Sequence, residues 1–248
     1  MKSIFISGLI IYFGLGLYLY IQQRSFIYFP VASIQSGLVE KTFENDGHSI
    51  KVSVLNDKQE KAIVYFGGNA EDVDYNAKGF STLFDEYTVY LVKYRGYGGS
   101  TGTPSEEAIY SDAIYIHDAI AQSHGEVSII GRSLGSAVAT YVASKREIDK
   151  LVLITPFDSI QNVAQSRFPI YPMGILLKDK HDSYSRAKDI DAETLIIAAE
   201  NDRIIEMPHT KRLREGFTTE VLFHVIEGAN HNDVSGDPRY SDLLNDFM

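Results

Sequence analysis

Five residues constrain this chain more than any others: Gly131-Arg132-Ser133-Leu134-Gly135, placed directly behind the apolar run Val127-Ser128-Ile129-Ile130. A serine between two glycines at this spacing, after a strand-like run, predicts strand, sharp turn and helix, the G-x-S-x-G arrangement that presents a nucleophile. A residue at the apex of so tight a turn is held in a strained backbone conformation. Glycine two positions to either side lets the following helix close onto the strand without a clash. The predicted helix, Leu134 to about Lys145, aims its free N-terminal N–H groups at the serine, where negative charge would develop. The same pentapeptide would serve as a Gly-rich turn in any α/β protein, so its surroundings must decide.

Those surroundings supply an acid and a histidine. The run Thr194-Leu195-Ile196-Ile197-Ala198-Ala199 reads as a buried parallel strand, with Glu200-Asn201-Asp202 at its carboxyl end. After a further run, Glu220-Val221-Leu222-Phe223-His224-Val225-Ile226, comes Gly228-Ala229-Asn230-His231. The order Ser133, Asp202, His231 differs from the orders of the chymotrypsin and subtilisin folds and agrees with that of α/β hydrolases. Each member falls at the C-terminal end of a predicted strand, where open α/β sheets hold their ligands.

These residues, together with Phe66-Gly67-Gly68-Asn69-Ala70, the stretch from Tyr94 to Glu106, Ser136, Pro156-Phe157-Asp158-Ser159-Ile160 and Asn232-Asp233, run in order across about Lys61 to Asp233. The chain resembles the membrane-anchored branch of the α/β-hydrolase superfamily, which holds the ABHD depalmitoylase-like proteins and their bacterial, serine-peptidase-like relatives. Two positions depart from that pattern: Gly67 stands where the family usually has histidine, and Ala199 where it usually has glycine. The first removes any side-chain role at position 67 but leaves a backbone donor possible. The resemblance implies an α/β-hydrolase fold, with a mostly parallel sheet, helices on both faces and a short lid after the sixth strand.

The chemistry expected of such a site is acyl transfer. Ser133 attacks an acyl carbonyl, His231 takes its proton and returns it to the leaving group, and Asp202 fixes the imidazole tautomer. The two backbone donors for the oxyanion are expected at Leu134, directly after the nucleophile, and at Asn69, on the loop after the third strand. No metal or organic cofactor is required. The expected reaction is cleavage of an acyl ester or thioester, with a serine peptidase of the same fold, or a membrane-tethered protein that binds without turnover, as the alternatives. Asp158, after the strand before the lid, is a rival acid for His231. The other histidines (48, 117, 124, 181, 209 and 224) lack ligand spacing.

Ahead of this region, Ser3 to Ile21 are nineteen residues without a charge. As a helix they would extend about 28 Å, close to the thickness of a bilayer core. Tyr18, Tyr20, Phe26, Tyr28 and Phe29 cluster where an interfacial aromatic belt would fall. The small-residue pair Gly14 and Gly16 lies inside the apolar run rather than after it, so a transmembrane signal anchor over 1–24 is expected instead of a cleaved signal peptide. The amino terminus and Lys2 on one flank against Arg24 on the other lean to a catalytic domain, 30–248, on the extracytoplasmic side. With only about eight residues between Ile21 and Pro30, the anchor reads as a short tether that keeps the domain close to the bilayer. Removing residues 1–24 would then leave the rate on short, soluble esters unchanged.

The 248-residue chain carries a net charge of −10 and no cysteine. This argues against nucleic acid as a partner and excludes disulfides, a lipoprotein anchor and thiolate metal sites. Strands are predicted at 38–45, 48–55, 61–66, 87–94, 127–130, 150–154, 194–199 and 219–226, the first two joined by a turn at Asn45-Asp46-Gly47. The best-marked helix spans 104–122, with a capping box beginning at Thr103, Pro104 at its first position and the stripe Ile109, Ala113, Ile116, Ile120. The alternation breaks between Pro156 and Asp189, where the apolar segment 168–177 reads either as an acyl-binding lid or as a helix packed on the sheet edge. The Gly-rich loop 96–102 lacks phosphate-loop spacing and reads as a structural loop beside the site.

Overall fold

In the computed structural model, which describes residues 2–32, 34 and 37–248, the predicted runs assemble into one eight-stranded sheet. The strands are β1 (Val39–Asn45), β2 (His48–Leu55), β3 (Lys61–Phe66), β4 (Tyr87–Val92), β5 (Glu126–Arg132), β6 (Lys150–Ile154), β7 (Glu193–Ala199) and β8 (Val221–Ile226). Their order is β1-β2-β4-β3-β5-β6-β7-β8; β1 and β2 run antiparallel to their neighbours and the rest of the sheet is parallel. Each strand falls where the sequence predicts it, with ends shifted by two residues at most. At the β1–β2 turn Asp46 and Gly47 both take positive φ, 49° and 73°, as a two-residue hairpin turn of this hand requires.

The helices are α1 (Lys2–Ile27), α2 (Ala77–Leu83), α3 (Glu106–Ala121), α4 (Leu134–Ala143), α5 (Ile160–Arg167), α6 (Met173–Leu176), α7 (Ser183–Ala187), α8 (Met207–Glu215) and α9 (Pro238–Phe247). Side chains alternate across a strand, so a run apolar at every position needs cover on both faces. In β3, Ala62, Val64 and Phe66 pack in a core with Ile109, Ile116 and Val138 of α3 and α4. Ile63 and Tyr65 pack on the opposite face with Phe80 of α2 and Leu244 of α9. All four residues of the predicted α3 stripe are buried. The helix starts later than the sequence suggests: the cap is Ser105, whose side chain accepts from the Ala108 N–H, and Thr103 and Pro104 stay outside it. Pro104 instead packs beside the Gly96 turn, leaving serine, a stronger N-cap than threonine, to close the helix.

The segment Lys2–Ile27 departs from the reading as a tether. It is one helix to Ile27, six residues beyond Ile21, and the chain enters the core at its end: Ile27 and the following Tyr28 are buried in the cluster with α3 and β3. Ser3–Ile27 is the one helix among the described residues that is long and apolar enough to cross a membrane. The amino terminus and the Lys2 side chain, on which the charge comparison rests, lie outside the described residues.

Candidate active site

The turn after β5 has the geometry its glycines demand. Ser133 sits at φ 49° and ψ −114°, a strained conformation for a residue with a side chain. A Cβ on Gly135 would lie 1.9 Å from the Phe66 carbonyl oxygen, and one on Gly131 would lie 2.4 Å from the Gly135 carbonyl oxygen. Only glycine at both positions allows α4 to lie against β3 and β5, and that packing holds Ser133 at the apex.

The other two residues come from neighbouring strand ends. His231, after β8, has Nε2 3.0 Å from Ser133 Oγ, and its Nδ1 is 2.7 Å from Asp202 Oδ2. The second oxygen of Asp202 accepts from the N–H groups of Ile204 and Ile205, at 2.9 and 2.7 Å. Those two bonds orient the carboxylate toward the imidazole. His231 and Asp202 are both nearly closed to solvent. Asp158 faces elsewhere. Its carboxylate, fully buried, is 2.8 Å from His209 Nδ1 and also accepts from Asn162. Ser166 Oγ lies 3.4 Å from the far nitrogen of that histidine, a serine–histidine–aspartate look-alike. Ser166 is in the last turns of α5, not at a strained turn, and Arg212 shares the Asp158 carboxylate at 3.4 Å.

Leu134 opens α4, so its N–H has no partner within the helix's own ladder. Asn69 lies on the loop after β3, which passes close to the serine: a Cβ on Gly68 would be 3.7 Å from that of Ser133. Both residues line the same cavity as Ser133. A network not apparent from the sequence braces this loop. Glu71 accepts from the Gly68 N–H at 2.6 Å, from Tyr65 and Asn76, and faces Arg132, whose guanidinium also reaches the His231 carbonyl. The Asn69 side chain accepts from Tyr97 of the Gly-rich loop and from the Phe29 N–H, and donates to the Ile27 carbonyl at 2.7 Å. The Gly-rich loop is thus structural and adjoins the site. Spacing alone carried no signal for the Arg132–Glu71 or Tyr97–Asn69 contacts, because these partners are distant in sequence.

The cavity in front of Ser133 encloses about 480 Å³, within the range of small-molecule sites. Its walls are apolar: Phe157, Ile160 and Val163, Phe168 and Met173 of the lid region, Ile205, and residues of α1. Segment 168–177 therefore covers the site instead of packing on the sheet edge. No cluster of three or more histidine, cysteine, aspartate or glutamate side chains disposed to hold a metal occurs among the described residues.

A strained serine on a strand–turn–helix, facing a histidine and an aspartate from later strand ends of an eight-stranded α/β sheet, defines a protein of the α/β-hydrolase class. The family model for the alpha/beta hydrolase fold matches residues 61–175. The chain is 30% identical over 236 residues to the uncharacterised Mycobacterium tuberculosis protein Rv2307c, covering 89% of this chain and 84% of that one. It is also 30% identical to the lysophosphatidylserine lipase ABHD12 of Xenopus tropicalis, over 75% of this chain and 57% of that one. A solved structure of the Butyrivibrio proteoclasticus Est1E with bound ferulic acid superposes with a TM-score of 0.69 at 12% identity, covering 84% of this chain and 97% of that one. The chain belongs to the α/β-hydrolase family, in its ABHD-like branch.

Proposed function

We propose that this chain is a membrane-held serine hydrolase that cleaves an acyl ester or thioester through a covalent acyl-enzyme. The observation that carries the reading is the continuous hydrogen-bonded line from Ser133 Oγ through His231 to Asp202 at the floor of an apolar cavity. In this mechanism His231 Nε2 removes the Ser133 proton as Oγ attacks the carbonyl carbon, and the carbonyl electron pair moves onto oxygen. The N–H groups of Leu134 and Asn69 stabilise that oxyanion, and Asp202 holds the imidazolium. Collapse of the intermediate expels the alcohol or thiol, which leaves with the proton from His231. Water, activated by the same histidine, then releases the acid. The walls offer few polar groups to a peptide backbone, which favours an acyl chain over a peptide and supports ester or thioester cleavage over proteolysis.

A fluorophosphonate probe is expected to label the full-length chain and not Ser133→Ala. Equal labelling of both would refute the nucleophile. Acyl esters, acyl thioesters and aminopeptidase substrates compared on the same preparation identify the leaving group.

Residues 1–24 act as the anchor and 30–248 as the catalytic domain, on the extracytoplasmic side. The chain should stay in the membrane fraction through a carbonate wash, which strips peripheral proteins but not a spanning helix. A membrane-impermeant amine reagent applied to intact cells should modify lysines of the domain; modification only after lysis would place the domain inside.

A further inference from the structure

The residues of α1 shielded from solvent are Tyr12, Gly16, Leu19, Gln23 and Ile27, spaced four, three, four and four apart, and so lie on one face of the helix. The Tyr12 ring stacks on Tyr171 at 4.8 Å, the Tyr12 hydroxyl donates to the Ile170 carbonyl, and the Tyr171 hydroxyl donates to the Tyr12 carbonyl. Gly16 lets the Tyr171 ring approach, since a Cβ there would be 3.2 Å from it. The Gln23 amide donates to the Leu176 carbonyl and accepts from the Lys178 N–H, and Arg24 pairs with Asp179. Leu19, Gln23, Phe26 and Ile27 line the cavity that contains Ser133.

From Tyr12 onward, then, the helix is bonded to the lid. The free part, Ser3 to Ile11, would extend about 13 Å, less than half of a hydrocarbon core of about 30 Å. If the apolar helix is seated in a bilayer, the lid beside Tyr12 goes in with it. The lid is built for that medium. Ile170 and Ile175 are 69% and 81% exposed, adjacent to α1, and the Tyr12 and Tyr171 hydroxyls and the carbonyls facing them are paired. In hydrocarbon an unpaired polar group is costly.

We propose that α1 is one wall of the acyl site, with Leu19 bounding the acyl chain, and that the lid is immersed in one leaflet so that the chain of a membrane lipid enters the cavity directly from the bilayer. This rests on the hydrolase reading for the fate of the chain but not for its binding.

The test uses the full chain in phosphatidylcholine vesicles containing a phospholipid with a diazirine at the end of one acyl chain. Irradiation is expected to label Ile170 and Ile175 from the surrounding lipid. It should also label Phe157 and Ile205, which are buried and reached only through the cavity. Leu19→Trp should reduce the Phe157 and Ile205 label several-fold, whereas Leu17→Trp, on the outward face, should not. The ratio of kcat/KM on dodecanoyl to acetyl esters should fall about tenfold in Leu19→Trp and stay unchanged in Leu17→Trp. Label confined to outward residues of α1, or to these and the lid exterior, would overturn the proposal, as would identical behaviour of the two variants. Loss of fluorophosphonate labelling at Ser133 would defeat the hydrolase reading separately, and the crosslinks would still decide the site.

Discussion

Asp158 and Asp202 each follow a strand of the same parallel sheet, yet they face different histidines. The bonds from Ile204 and Ile205 aim Asp202 at His231, whereas Asp158 is shared among His209, Arg212 and Asn162. Asp202→Asn is therefore expected to lower turnover by roughly 10⁴-fold with the fold intact, because the amide stabilises the wrong imidazole tautomer. Asp158→Asn should leave turnover within a few-fold of wild type and lower the melting temperature, since it uncouples a buried cluster. Steady-state kinetics with thermal melts on both variants make the comparison, and a crippling Asp158→Asn beside a mild Asp202→Asn would reverse the assignment. Strand ends and chain order made both aspartates visible in the sequence. Which one meets His231 depends on local hydrogen bonds that spacing does not encode.

Among the elements, α1 differs most from its sequence reading. A run of nineteen uncharged residues says only that the segment prefers an apolar medium, and its hydropathy is the same whichever face points outward. The stripe of Tyr12, Gly16, Leu19, Gln23 and Ile27 was present, but neither small nor weakly polar residues stand out against an apolar background. A chain lacking residues 1–24 loses the Tyr12–Tyr171 stack, the Gln23 bonds and the Arg24–Asp179 pair, and so cannot be equivalent to the whole protein. Its lid should become the first site of cleavage: limited trypsin is expected to cut at Arg167, Lys178 or Lys180 well before the rest of the domain. In the full chain those sites should be protected, and equal digestion of the two forms would show that α1 does not hold the lid.

For the whole molecule, the junction between α1, α3 and the lid carries a pH dependence. His181 is fully buried, with its two nitrogens bonded to Tyr28 and Tyr110, and burial pushes it down to about 4 from the ordinary 6.5. A histidine that charges more readily unfolded than folded leaves stability whole above about pH 6.5. Stability is then lost at up to about 1.4 kcal/mol per pH unit as pH falls toward 4, because the unfolded state binds the extra proton. His117, also lowered by burial, acts in the same direction. The denaturant midpoint should therefore fall between pH 6.5 and 4, with a shallower slope in His181→Gln; an unchanged slope would place the proton elsewhere.

Sequence by itself determined what depends on short-range order. The elbow follows from glycines two positions either side of a serine, the strands from apolar runs bounded by turn residues, and α3 from its apolar repeat. The order serine, aspartate, histidine at strand ends defines the candidate site. Tertiary structure alone decided what depends on contacts between distant segments. Among these are the choice of aspartate, the Arg132–Glu71 pair beneath the Asn69 loop, and the joining of the N-terminal helix to lid and cavity. The reason is physical: backbone conformation and burial preference are properties of a few neighbouring residues, whereas a cavity wall or a hydrogen-bonded pair exists only once segments such as residues 12 and 171 are brought together.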